Sequence, residues 1–212
     1  FLFVLLVVAG AAAGFSAAGI SNARAEDLGY LLELDPEAVT DADLYERAVR
    51  LEQNYQVYHC VNGILWEARY ADAGDPAPSL YETGGDSAIF TGFYLAAAVY
   101  RFLTTGLAND VDSVFETARG LHILTHISGT PGVIARCAFP AEDAWKWRYP
   151  DAWQERIEQG YVYRSPDNIP DIGNPGALYP EMIYYTRATR DQLTGILYGL
   201  GIALKELHHV SS

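Results

Sequence analysis

The sequence predicts an all-α fold built from antiparallel helical hairpins, and three stretches carry that prediction. From Asp86 to Thr104 nearly every residue is apolar or small, with Arg101 the only charge after the start. A helix there should be enclosed on all sides. From Asp110 to Ile127 the apolar residues Val111, Val114, Phe115, Ala118, Leu121, Leu124 and Ile127 keep the spacing of a helix with one wet face. From Leu193 to Leu204 no residue is charged, which predicts a second enclosed helix. An enclosed helix followed by a half-exposed one reads as an inner element and its outer partner. Such hairpins bury their faces only beside others like them.

Taken in order, the chain opens with an apolar run, Phe1 to Val8, followed by small residues as far as Ile20. Ala23-Arg24-Ala25 then fits the small-x-small rule for cleavage before Glu26. Residues 1–25 are expected to be a signal peptide. The competing reading is a retained anchor, since the span to Ile20 is about long enough to cross a bilayer. Either reading makes the protein exported, periplasmic, extracellular or envelope-anchored, and limits membrane contact to this segment. Residues 26–212 are expected to form the folded domain. Glu26 to Thr40 is an acidic lead-in. From Asp41 to about Tyr58, Leu44, Tyr45, Ala48, Leu51 and Tyr55 predict an outer helix capped by Thr40 or Asp41. His59 to Tyr70 extends it or starts another helix, with Gly63 as a kink. Ala71 to Gly85 is a loop, and Leu103 to Asn109 is the hairpin turn. The SGTPG run, Ser128 to Gly132, stops the outer helix. Pro140 to Gln159 predicts a short helix on each side of Pro150. Gly160 to Leu178 is too rich in glycine and proline for regular structure and is read as a functional loop. Thr189 and Gln192 form the T-x-x-Q capping box of the last helix. Its glycines 195, 199 and 201 call for close approach by another backbone or by a ligand.

Composition removes several functions. A net charge of −13, spread along 212 residues with no basic stripe, argues against nucleic acid as a partner. Fifteen tyrosines and four tryptophans serve either packing or the stacking of sugar rings. Cys60 and Cys137 are the only cysteines, and a disulfide and two free thiols both stay open. No zinc-ligand spacing is present. Asp167, Asn168, Asp171 and Asn174 lack the spacing of a calcium loop. Phosphate-loop, dinucleotide and serine-hydrolase motifs are missing too, so neither metal nor cofactor is expected.

The two enclosed stretches echo each other. Asp86 leads into Thr91-Gly92-Phe93, and Asp191 into Thr194-Gly195-Ile196. The chain ends at Ser212, where an outer partner helix is expected, so the sequence reads as a fragment truncated at both ends. The runs GGDSAIFTGFYLAAAVYRFLTTG, SGTPGVIAR and TRDQLTGILYGLGIAL resemble elements of α/α-toroid proteins of the six-hairpin glycosidase type, between Leu80 and Leu207. That resemblance implies an incomplete (α/α) toroid over residues 26–212, with a carbohydrate substrate at the mouth where the inner helices begin.

Asp86 and Asp191 then stand on the rim as the catalytic candidates. Glycoside hydrolysis needs two carboxylates, one to protonate the leaving oxygen and one to attack or to activate water. The blander role is helix stabilisation, because an acid in the first turn contributes about 0.3 to 1 kcal/mol and need do nothing else. Arg136 and Arg190 suit a carboxylated or sulfated sugar, with a structural salt bridge as the alternative for each. Tyr81, Trp145, Trp147 and Tyr161 are candidates to stack on sugar faces, and Gln192 joins the substrate-binding set. His126, near a helix end, is read as a dipole partner. The expected function is an exported carbohydrate-active enzyme, first a glycoside hydrolase on a polysaccharide or oligosaccharide, including uronic-acid-containing ones. A polysaccharide lyase and a non-catalytic envelope protein binding glycan or protein are the alternatives.

Overall fold

The chain is mixed α/β, with three small antiparallel sheets among the helices of its described residues, and the all-α expectation is corrected here. The computed structural model describes residues 40–208 apart from 73–74, 76, 83, 148–151 and 175. The signal peptide or anchor expected over residues 1–25 lies outside the described residues.

Helix α1 (Asp41–Asn54) opens on a capping box in which Thr40 and Asp43 satisfy each other's backbone N–H groups. It widens into a π-helical turn at Tyr55–His59. The segment expected to continue as helix turns instead into a hairpin, β1 (Cys60–Val61) and β2 (Ile64–Leu65). Asn62 and Gly63 both have positive φ, the geometry of a two-residue type I′ turn. A second hairpin pairs β3 (Ala68–Arg69) with β4 (Leu80–Tyr81).

Helices α2 (Ser87–Thr105) and α3 (Ala108–His126) form the expected hairpin, joined through Gly106 in the left-handed conformation. A three-stranded sheet follows, in the order β5 (Cys137–Pro140), β7 (Met182–Tyr185), β6 (Val162–Arg164). Between its strands lie a 3₁₀ turn (Ala141–Lys146) and the short α4 (Ala152–Glu158), one on each side of Pro150 as the sequence predicts. Helix α5 (Arg190–Leu207) closes the described fold behind its Thr189–Gln192 capping box.

Helices α2 and α5 run parallel and touch backbone to backbone. A methyl group at Gly199 would fall on the Gly92 carbonyl, and one at Gly195 would lie 2.5 Å from Ile89 Cα. That contact puts both helix N-termini at the same end. Neither helix is enclosed all round. Phe90 and Leu103 of α2 are exposed, as are Leu193, Leu197, Leu200 and Leu204 of α5. The core instead lies between α2, α3 and the sheets, around Leu95, Val99, Leu121, Leu124, Phe139 and Met182. A hairpin, a parallel third helix and three sheets do not make a ring of helical hairpins, so the toroid is corrected with the fold class. Both cysteines are free thiols.

Candidate functional site

The end of β7 and the starts of α2 and α5 meet at one place, and Arg136 joins the first two of them. Its N–H donates to the Tyr185 carbonyl at 2.6 Å, fixing it to the end of β7. Its carbonyl accepts from Ala88 N–H at 3.1 Å, satisfying a donor at the start of α2 that no helical carbonyl can reach. Its guanidinium turns back over the same turn, donating from Nε to the Gly85 carbonyl and from Nη2 to Asp86 Oδ1 at 3.5 Å.

Asp86 occupies the N-cap position of α2, yet its side chain makes no capping hydrogen bond. The Gly84 carbonyl accepts from Ser87 N–H, and the Arg136 carbonyl from Ala88 N–H. The carboxylate is therefore released from its usual structural task. Oδ1 accepts from Arg136 Nη2 and, at 3.3 Å, from Gln192 Nε2. Among the described residues nothing binds Oδ2, and the side chain is 48% exposed.

Gln192 is the second clamp, and it is wholly buried. Its Oε1 accepts from Thr189 N–H at 2.8 Å and from the Thr189 hydroxyl, while Nε2 donates to the Gly85 carbonyl at 3.3 Å as well as to Asp86. One amide thus caps α5 and orients the carboxylate on α2. With no exposed surface, it holds Asp86 in place and offers nothing to a ligand directly. Asp191 and Arg190, in the first turn of α5, are both exposed, and neither has a hydrogen-bond or ion-pair partner for its side chain among the described residues. Their neighbour Gln192 touches Asp86, so the two acids stand on adjoining helix tips.

The aromatic candidates separate. Tyr161, just before β6, is 38% exposed and carries the Arg187 guanidinium over its ring at 4.0 Å. Trp147 is only 1% exposed, stacked on Phe139 at 4.1 Å and edge-on to Trp66 at 5.1 Å. No face of it is open to a sugar. Tyr81 stacks on Trp147 at 5.3 Å and donates its hydroxyl to the Tyr58 carbonyl. These rings form a wall beneath Gly84, whose positive φ and missing side chain let the turn lie on Trp66. Trp145 belongs to the 3₁₀ turn after β5. His126, in the last turn of α3, stacks on His122 at 4.1 Å and bonds the His122 carbonyl.

The structure thus brings Asp86, Arg136 and Gln192 into contact and sets Asp191 and Arg190 beside them. Arg187 and the Gly85 carbonyl were missed in the sequence. Arg187 had a signal, since it precedes Arg190 by three residues in TRATRD. Gly85 had none, because a backbone acceptor acquires a partner only through the fold. Among the described residues no group of three or more metal-ligating side chains forms. No family model, curated protein or solved structure matches the chain. The resemblance to six-hairpin glycosidases therefore has no support from relatives, and the mixed fold overturns it.

Proposed function

We propose that the protein is carbohydrate-active, working at the paired N-terminal tips of α2 and α5. Asp86 is the carboxylate that accepts a proton from a sugar hydroxyl or a water, and Asp191 is the second acid. One observation carries this reading. The Asp86 carboxylate is fixed through Oδ1 by Arg136 and Gln192 and is open at Oδ2. A carboxylate held in one orientation at no cost to its free oxygen is pre-arranged to act on a hydroxyl. The exposed Asp191, Arg190 and Tyr161 supply the mixture of polar groups and an aromatic ring that sugar recognition uses.

The test is incubation of the full chain with an oligosaccharide panel, following turnover and products. Asp86→Asn is expected to lower turnover by about 10²- to 10⁴-fold, the usual worth of a general acid–base group. Asp191→Asn should also fall if two carboxylates share the work. Turnover unchanged in both variants sinks the assignment. Sugar bound but never turned over moves the reading to a glycan-binding protein.

A further inference from the structure

We infer that this site selects an anionic sugar, gripped through a carboxylate or sulfate by Arg187 and Arg190. The inference rests on the carbohydrate reading above and names the substrate class. The chain has 27 acidic side chains against 14 lysines and arginines, so an arginine without an acidic partner is out of keeping with its surroundings. Several of its other arginines have such a partner. Arg69 pairs with Glu82, Arg101 with Glu52 and Asp110, Arg119 with Asp171, and Arg164 with Glu181. Among the described residues, Arg187 and Arg190 are both exposed and neither has a carboxylate within ion-pair distance.

Their placement is as telling as their freedom. Both lie just beyond β7, whose end is tied to Arg136, and on either side of Thr189, which is tied to Gln192. The Arg187 guanidinium lies on the Tyr161 ring, 4.0 Å from its centroid. That contact anchors the group through its carbon, and its N–H donors are then what an anion would meet. A carboxylate or sulfate on a sugar ring meets that need bidentately, and a neutral sugar leaves it unmet.

The experiment is calorimetric titration of the full chain with three oligosaccharides of equal length: a neutral one, its uronate counterpart and its sulfated counterpart. The expected result is affinity at least about tenfold higher for one or both anionic sugars, the worth of one charge-assisted hydrogen bond. That preference should shrink with added salt and disappear in the Arg187→Met, Arg190→Met double variant. Which anion binds identifies the group recognised. Equal affinity for neutral and anionic sugars, or a preference that survives the double variant, overturns the inference while leaving the carbohydrate reading intact. No binding of any of the three overturns the carbohydrate reading beneath it.

Discussion

Asp86 shows how little a residue's position says about its work until its partners are known. An aspartate before a helix ordinarily caps it, and replacing such a cap costs about 0.5 to 2 kcal/mol. Here the Gly84 and Arg136 carbonyls serve the first N–H groups of α2, so the carboxylate is not needed for the helix. Asp86→Ala should therefore leave the free energy of unfolding within about 0.5 kcal/mol of wild type in urea titration. A loss of cap size would return Asp86 to a structural role. Asp171 is the opposite case. The Arg119 fork grips both its oxygens at 2.8 and 2.6 Å, and this hydrogen bonding, with that of Gly173 N–H, holds its carboxyl below the usual aspartate range. A value lowered by folding means stability that is present above about pH 4 and lost as pH falls through the lowered value. Asp171→Asn should flatten the acid limb of stability against pH. An unchanged limb would show that the pair contributes nothing to folding.

At the scale of elements, glycine does three different things. Gly92, Gly195 and Gly199 let α2 and α5 meet along their backbones, and that contact brings the two acids to one end. Gly199→Ala should cost about 1 to 3 kcal/mol through overpacking. Gly201, in the same helix, has nothing within 4 Å of where a side chain would start. Gly201→Ala should stabilise by up to about 1 kcal/mol, the helix-propensity gain. Thermal or urea midpoints that fail to separate the two variants would remove the close-packed interface from the account. The third role is in the β1–β2 turn, where Asn62-Gly63 presses on α3 at Gly120. The pattern CVNGIL was visible in the sequence as a hairpin signal. The apolar spacing that precedes it predicts helix through the same residues, with Gly63 as a kink.

Across the whole molecule, the aromatic wall joins what the helices alone do not. Trp147 links the β3–β4 hairpin, through Tyr81, to β5 through Phe139 and to Trp66. Trp147→Ala is expected to cost about 3 to 5 kcal/mol, the range for losing a large buried aromatic. Denaturant unfolding measures it, and a cost under about 1 kcal/mol would mean that the wall is not part of the cooperative fold. The same scale corrects the reading of the uncharged helices. Leu193, Leu197, Leu200 and Leu204 lie exposed on α5, so the absence of charge there does not report enclosure.

The sequence by itself determined α2, α3 and α5, the turns that end α2 and α3, and the capping box at Thr189. Helical hydrogen bonds close within four residues, so the pattern that makes a helix is written locally. It also named Asp86, Asp191, Arg136 and Gln192 as site candidates, because their types and their places beside a helix start or a turn are local facts too. Tertiary structure alone decided the strands, since segments such as CAFP and MIYY are too short to show a period and take their partners from tens of residues away. It decided, for the same reason, that Asp86 is held by Arg136 and Gln192 rather than by its own helix, that Trp147 is buried and that Gln192 is a clamp. Each of those outcomes depends on which distant backbone group or ring arrives beside the residue.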